Sequence, residues 1–340
     1  MNKIKYLLFS AAVLACAACS SEIEEPAPKD FSGKKVMPEI TVAEQGSEQI
    51  TKKGETGSTY FKAGEHIGFL LLDENDPNTL YNDTKDIGVL RYTYDGVYWS
   101  TYDSYGMTES NCKVYCFYPY PESEDHSYDG TWPNSYRKIE TGSNTDYLWG
   151  ISKMQNGQTG INGMTPQVHM QMQHALTRIS FRLKRTMVYD PNSTIGKGDV
   201  TAFTAYGYDA SNRPVHGSSK YCFITGKVNT PVTPDNKPVV FKQIAGHSMP
   251  QAVGSFLGSR DEYMSAVPFT GTIRVSLTID GQSYTLTIPS HQYVAGNHYQ
   301  ITLEYKGSQV VFKPGTGATG GSMEIIPWTS GGSIGVKGNN

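Results

Sequence analysis

The seventeen residues Val168–Lys184, VHMQMQHALTRISFRLK, contain neither glycine nor proline, in a chain of 340 residues that has 35 glycines and 18 prolines. From Ile179 to Lys184 apolar and polar residues alternate strictly, and positions 168–173 alternate as well. A period of two is typical of a β-strand with one face toward a core. The stretch therefore predicts strand, although its methionine, glutamine, leucine and arginine residues also suit a helix.

The alternation changes phase between the two halves of this stretch. Apolar residues occupy even positions up to Met172 and odd positions from Ile179, and the change lies near His174 and Ala175. A shift of one residue turns the opposite face of a strand toward the core. We expect at this point either a β-bulge or a crossing of the chain between two sheets.

Other segments predict strands on both sides of this stretch. In Thr272–Pro289, apolar residues alternate before and after Asp280-Gly281, which is typical of a hairpin with a type I′ turn, and Asp95-Gly96 suggests a second such hairpin. The run Phe61–Leu72 predicts another strong strand. About six or seven strands precede Val168, as many as one β-sandwich needs. The chain lacks long helical blocks, so we predict an all-β fold.

The charge and the cysteines exclude several classes of protein. The net charge is −3, with 29 basic and 32 acidic residues and no basic block, which indicates that nucleic acid is not a partner. Cys112 and Cys116 would lie about 13 Å apart on one extended strand, too far for a disulfide. With Cys222 they make an odd number, which argues against a disulfide framework.

The N-terminus predicts a lipoprotein signal peptide, residues 1–18. Lys3 and Lys5 precede the apolar run Tyr6–Ala15, and small residues lead to Ala18 and Cys19. We expect cleavage between Ala18 and Cys19 and a lipid on Cys19, with a tether over residues 19–34. Cys16 is a rival lipidation site, and an ordinary signal peptide that discards both cysteines is the other alternative.

The segment Lys35–Glu44 predicts the first strand after the tether. Its residues Val36, Ile40 and Val42 share one face, together with Pro38. Proline cannot donate to a β-ladder, so this strand belongs at a sheet edge. The polar stretch that follows contains Lys52-Lys53-Gly54.

The chain lacks the usual catalytic and metal-binding patterns. It has no phosphate loop, no Gly-x-Ser-x-Gly turn and no His-Glu-x-x-His motif. His169 and His174 fall on opposite faces of a regular strand, and His174 is interpreted as a packing residue. The acidic residues near position 124 lack the spacing of a calcium loop and are interpreted as solvated. We therefore predict no enzymatic activity, no cofactor and no metal.

A group of aromatic residues allows two interpretations. On a sheet, such rings are ordinary cross-strand partners, but exposed rings could also stack on sugars. We favour packing, and the sugar-stacking platform sustains the alternative function of a glycan-binding surface lipoprotein. The residues are Tyr94, Tyr98, Trp99, Tyr102 and Tyr105.

A series of short motifs, which spans most of the chain after the signal segment, resembles the fimbrillin family of Bacteroidales, the major and minor fimbrial subunits and their relatives. The central motif is HALTRISFRL at 174–183. The others are FKAGEHIGF at 61–69, VYCFYPY at 114–120, DYLWG at 146–150, AGNHYQITL at 295–303 and IPW at 326–328.

The resemblance implies two tandem transthyretin-like β-sandwich domains and subunits that polymerise by strand exchange. In that scheme a protease removes the first strand, and a neighbour's strand fills the groove. Here the removable strand would be Val36–Glu44, with Val36, Ile40 and Val42 plugging the core, and Lys53–Gly54 would be the cleaved bond.

We therefore expect domains at 35–165 and 166–340, after the signal peptide 1–18 and the tether 19–34. The expected function is a subunit or associated adhesin of cell-surface fimbriae, held in the outer membrane by its lipid. Its partners would be other fimbrial subunits and a host or bacterial surface receptor. The alternatives are a glycan-binding lipoprotein of a polysaccharide-uptake system and a secreted hydrolase.

Overall fold

The structure is a computed structural model. It describes residues 37–44, 61–76, 79–81, 88–96, 98–102, 105–120, 136–142, 145–154, 158–193, 195–229, 232–235, 237–313 and 323–327. Within these ranges every regular element is a strand and none is a helix, which confirms the all-β prediction.

The strands fall into an N-terminal and a C-terminal series along the chain. The first series is β1 (Glu39–Glu44), β2 (His66–Asp73), β3 (Leu90–Tyr94), β4 (Trp99–Ser100), β5 (Cys112–Tyr118), β6 (Tyr136–Glu140), β7 (Leu148–Lys153) and β8 (Gln167–His174). The second begins with β9 (Thr177–Arg185), β10 (Asp199–Asp209), β11 (Gly217–Cys222), β12 (Thr233–Pro234), β13 (Val239–Val240), β14 (His247–Ser248) and β15 (Phe256–Leu257). It ends with β16 (Tyr263–Ala266), β17 (Phe269–Ile279), β18 (Gln282–Tyr293), β19 (Asn297–Tyr305), β20 (Val310–Val311) and β21 (Met323–Pro327).

The described strands form four sheets. The first has seven strands in the order β1-β8-β7-β5-β2-β3-β4. The C-terminal series forms a five-stranded sheet, β13-β10-β17-β18 with β14 beside β10, and a six-stranded sheet, β15-β9-β19-β20 with β16 beside β9 and β21 beside β19. A small sheet, β12-β11-β6, joins β6 of the first series to β11 of the second.

Two clusters of buried apolar residues hold these sheets together. The small core lies on one face of the seven-stranded sheet and includes Phe69 and Val114. The large core fills the C-terminal sandwich and also takes Leu70 and Phe117 from the opposite face of the same sheet. Because both faces of β2 are covered, its sequence is a nearly continuous apolar run instead of an alternating one.

The stretch Val168–Lys184 is divided between two sheets. β8 pairs with β7 and buries Met170 in the small core, whereas β9 pairs with β19 and buries Phe181 in the large core. Ala175 and Leu176 lie between the two strands. The phase change therefore marks a crossing between sheets, the second of the two expected outcomes.

The two predicted hairpins differ in their turns. Asp280 and Gly281 have φ values of 51° and 74° and join paired residues Ile279 and Gln282, as the type I′ prediction requires. Around Asp95-Gly96, the nearest paired residues are Tyr94 and Trp99. The Asp95 N–H donates to the Tyr98 carbonyl at 3.0 Å, so Asp95 flanks the turn instead of occupying its first central position, and the prediction of an Asp95-Gly96 type I′ turn is wrong.

The division into domains at 35–165 and 166–340 stays a prediction. The pairings favour a later point of division, because β8 shares its sheet with β1 and β7. We would place the boundary at Ala175–Leu176, where the chain leaves that sheet.

Asp280 fastens the β17–β18 hairpin to the segment before β10. Its carboxylate accepts hydrogen bonds from the backbone N–H groups of Gly196, Gly198 and Asp199 at 2.7–3.0 Å and from the Tyr305 hydroxyl at 2.6 Å. Burial alone would raise the pKa of Asp280, but these hydrogen bonds outweigh it and hold the pKa below its ordinary value.

We expect Asp280→Asn to lower the free energy of unfolding at pH 7 by about 1–3 kcal/mol, because asparagine tolerates the positive φ but removes the charge from these bonds. A depressed folded pKa stabilises the fold above the unfolded pKa of about 4 and ceases to do so as pH falls through the folded value. Urea titrations at pH 7 and pH 3 should therefore show the difference shrinking in acid. An equal difference at both pH values would contradict this role of the charge.

Candidate functional site: the β1 edge

β1 lies at the edge of the seven-stranded sheet and runs parallel to β8. The register pairs Glu39 with Gln167 at one end and Glu44 with Met172 at the other. Pro38 stands just before the first paired residue, where its missing N–H costs the ladder no bond. An edge position for this segment is what its sequence predicted.

One face of β1 closes the small core. Val42 is 2% exposed, and Ile40 packs against the same cluster. Their register partners on β8 are Val168 and Met170, which are 0% and 2% exposed. If β1 left the sheet, it would uncover an apolar floor on β8 beside a row of unpaired backbone groups, the features that bind an added strand.

The far side of β8 is held independently of β1. β8 pairs with β7 over six residues, from Leu148 opposite His174 to Lys153 opposite His169. β7 in turn pairs with β5 in the middle of the sheet. The floor of the groove is therefore supported from behind by strands that do not include β1.

Polar and charged side chains anchor the end of β8 where the chain crosses to the second sheet. His174 Nδ1 lies 3.0 Å from Asp146 Oδ1, and both side chains are buried. Arg178 Nη2 lies 3.5 Å from the other Asp146 oxygen, and its guanidinium stands 4.1 Å from the ring centroid of Tyr263. His174 is thus a buried, partnered packing residue, as its position in the sequence indicated.

Several predicted site residues lie outside the described ranges. These are Val36 of the first strand and the residues of the two cleavage sites, Ala18, Cys19, Lys53 and Gly54. Their roles stay predictions. After β1 the described chain resumes at Phe61, whose ring packs edge-on against Trp99 and Tyr118 at centroid distances of 5.0 and 5.4 Å. The segment that contains Lys53–Gly54 therefore begins at a sheet edge and ends at a buried aromatic anchor.

Cys112, Cys116 and Cys222 are buried thiols. Burial, together with the charges of Glu74 and Asp73, raises the pKa of Cys112 to about 12. Burial also raises the pKa of Cys116. Both thiols therefore stay protonated near neutral pH and are poor nucleophiles.

His216 and His298 are equally unsuited to acid–base chemistry at neutral pH. Burial lowers the pKa of His216 to about 4, and burial with the charges of Arg178 and Arg260 lowers that of His298 to about 4. The described residues contain no cluster of three or more His, Cys, Asp or Glu side chains that could hold a metal ion. They also contain no helix that could span a membrane.

The structure removes most of the aromatic platform considered for sugar binding. Tyr94, Trp99 and Tyr105 are 2%, 8% and 1% exposed and belong to the small core, whereas Tyr98 and Tyr102 are 39% and 92% exposed. The interpretation as packing residues is correct for the three buried rings. The alternative interpretation, a sugar-stacking surface made of all five rings, is wrong.

The sequence did not identify the floor of the groove. Val168, Met170 and Met172 were recognised as one face of a strand, but not as the partners of Ile40 and Val42. The two strands are separated by more than a hundred residues, and a parallel pairing at that distance leaves no local turn signal. The matched alternation of the two segments was the one available clue.

Comparisons with known proteins agree with the fold. The family model described as fimbrillin-like matches residues 51–328. The structure of a proposed cell adhesion protein from Bacteroides uniformis ATCC 8492 aligns with a TM-score of 0.53 at 15% identity, covering 87% of this chain and 99% of the other. A second proposed cell adhesion protein, from Bacteroides ovatus ATCC 8483, aligns with a TM-score of 0.51 at 13% identity, covering 86% and 98%. No curated protein sequence matches significantly.

Proposed function

The chain belongs to the fimbrillin-like family, and we propose that it is a structural subunit, or an associated adhesin, of cell-surface fimbriae. The observation that carries the proposal is the β1 edge: a short first strand whose apolar face closes a core on β8. Such a strand can be exchanged for an equivalent strand of another subunit without rebuilding the sheet.

Assembly proceeds by strand exchange in this proposal. A trypsin-like protease cuts Lys53–Gly54, β1 leaves with the residues before it, and a neighbouring subunit supplies the replacement strand. The groove accepts alternate apolar side chains at the positions of Ile40 and Val42, and the backbone of β8 supplies the ladder. Val36 would extend the same apolar face by its position in the sequence.

The chain reaches the cell surface as a lipoprotein in this proposal. Cleavage after Ala18 leaves Cys19 as the lipid-bearing N-terminus, and residues 19–34 tether the folded part to the outer membrane. The partners are other fimbrial subunits, together with a host or bacterial surface receptor if the chain acts as an adhesin. Neutral buried thiols and histidines of lowered pKa support a role without catalysis.

Immunogold electron microscopy of the producing bacterium tests the role. We expect an antibody against this chain to label surface filaments along their length if it is a stalk subunit, or at one end if it is an adhesin or anchor. Label spread over the cell body without filaments would contradict the fimbrial role and would favour the glycan-binding alternative.

A Cys19→Ala variant tests the lipid anchor, and Cys16→Ala is its matched control. Cys19→Ala should lose palmitate labelling, while Cys16→Ala should keep it. Loss of the label only in Cys16→Ala would move the lipid to Cys16, and no label in the unmodified chain would contradict the lipoprotein proposal.

A further inference from the structure

β18 lies at one end of the five-stranded sheet, beside β17. It runs from Gln282 to Tyr293, QSYTLTIPSHQY, and contains no lysine, arginine, aspartate or glutamate. In the described part of the chain, no strand pairs with its other side. Proteins usually place charges on such edges, because a long uncharged edge strand readily pairs with another strand. The β18 edge is therefore a candidate interaction surface.

The turn before β18 determines which backbone groups face outward. In a type I′ hairpin the residues that flank the turn, here Ile279 and Gln282, form a hydrogen-bonded pair, and such pairs recur at every second residue. The N–H and C=O groups of Ser283, Thr285 and Thr287 therefore point away from β17. Among the described residues, these groups have no backbone hydrogen-bond partner.

The two ends of this open stretch define the register for a second copy of the strand. Gly281 of the turn bounds the stretch on one side, and Pro289, which lacks an N–H, bounds it on the other. Two antiparallel copies pair all three outward residues only if their Thr285 residues lie opposite each other across a two-fold axis. Ser283 of each copy then lies opposite Thr287 of the other. Each of these pairs makes two backbone hydrogen bonds.

The side chains on both faces suit this register. On the outer face, threonine lies opposite threonine and serine opposite threonine, which are favourable cross-strand pairs because their hydroxyls bond to each other. On the face toward the core, Tyr284 of each copy lies opposite Leu286 of the other. These are non-hydrogen-bonded positions, where opposite side chains approach most closely. No charge meets a like charge, since the strand has no acidic or basic residue other than His291.

Partly exposed apolar side chains below the edge add to the surface. Tyr284 and Leu286 pack against the large core but are not fully buried, and the same holds for Val310 and Phe312 at β20, which lies near β18. The Tyr284 hydroxyl donates to the Gly307 carbonyl at 3.1 Å, so the edges of the two sheets meet here. Covering these side chains removes apolar area from water, which favours the paired state.

We propose that two copies of this chain associate through β18, in the register that places Thr285 opposite Thr285 of the second copy. A second copy is the occupant that the edge specifies, because the open stretch is symmetric about Thr285. The two five-stranded sheets then form one continuous sheet. Since both copies use the same edge, the contact closes at two chains and produces no filament. β1 belongs to a different sheet, so this dimer does not depend on the proposed exchange of the first strand.

Sedimentation velocity of the full, uncleaved chain over about 1–200 µM tests the association, because small interfaces are weak. We expect a dimer that dissociates on dilution. Thr285→Lys places like charges opposite each other and should raise the dissociation constant about tenfold or more. An equimolar mixture of Thr285→Lys and Thr285→Glu chains should restore the dimer. Ser276→Lys is the matched control, since Ser276 is the exposed partner of Thr285 on β17, away from the edge.

Residue-resolved amide hydrogen exchange locates the contact. The amides of Ser283, Thr285 and Thr287 should exchange more slowly as the protein concentration rises. Those of Tyr284 and Leu286 bond to β17 and should stay protected at every concentration and in the variants, which shows that the sheet is intact.

Three results would overturn the proposal. A chain that stays monomeric over the whole concentration range does not pair through this edge. A dimer that Thr285→Lys leaves unchanged uses another surface. Protection of the three outward amides that does not depend on concentration would mean that another part of the same chain covers the edge.

Discussion

Phe181→Ala is expected to lower the free energy of unfolding by about 3–5 kcal/mol, the usual cost of removing a fully buried phenylalanine ring. Phe181 is 1% exposed and lies in the large core. Its ring meets Phe241 edge-on at a centroid distance of 5.0 Å and Phe203 at 5.4 Å, so alanine would leave a cavity lined by two aromatic side chains. Urea denaturation of the purified chain measures the loss.

Lys184→Ala is the matched control on the opposite face of the same strand. Lys184 is partly exposed, and its ammonium group lies 5.9 Å from the ring centroid of Phe256. Losing that contact should cost at most about 1 kcal/mol. Equal, small losses for Phe181→Ala and Lys184→Ala would contradict the assignment of these faces.

The alternation in β9 correctly predicted the inner face and misjudged the outer one. The polar positions were expected to face solvent, yet Ser180 is 0% exposed and bonds to His298, and Arg182 stacks on Phe256 with its guanidinium carbon 4.3 Å from the ring centroid. Arg182→Ala will therefore lower the free energy of unfolding more than the polar position of Arg182 in the pattern implied. A period of two distinguishes apolar from polar faces, but it does not tell what covers the polar one.

Arg185 is a second residue whose surroundings the alternation of β9 did not predict. It is 0% exposed, and its guanidinium donates to the backbone carbonyls of Gly196, Lys197 and Pro250 at 2.6–2.8 Å. In the sequence it is one more basic residue after a strand. The carbonyls come from two separate loops, one 11–12 residues away and the other 65 residues away, so the alternation of the strand could not have predicted that a charge would be buried there.

Val42→Asp is expected to open the β1 edge. Position 42 is 2% exposed in the small core, so a carboxylate there would be buried and unpaired. Burying such a charge costs far more free energy than the backbone hydrogen bonds of one short edge strand contribute. β1 should leave the sheet while β8 stays paired with β7. A labelled peptide of residues 35–44 should then bind the variant and not the unmodified chain, as fluorescence anisotropy would measure.

Met37→Asp is the control for this experiment. Met37 is 41% exposed and lies just before β1, so a charge there should leave the strand in place and the groove closed to the peptide. If the Val42→Asp chain binds no peptide while its sheet remains folded, the groove is not exchangeable. If the two variants bind the peptide equally, the apolar face of β1 is not what holds it.

The site was thus predictable in part. The edge position of β1 followed from Pro38 and from the alternation of Ile40 and Val42, because both are local properties of the chain. Its partner was not predictable, because β8 lies more than a hundred residues away and pairs in parallel. The crossing after β8 was visible as a phase change, but the choice between a bulge and a change of sheet depended on the packing of β9 against β19.

Native trypsin digestion followed by N-terminal sequencing and native electrophoresis tests the proposed assembly most directly. We expect a single cut that leaves Gly54 as the new N-terminus, release of β1 and a ladder of oligomers that the Lys52→Gln, Lys53→Gln double variant does not form. A chain that resists cleavage at Lys53–Gly54, or one that is cut there and stays monomeric, would contradict assembly by exchange of the first strand.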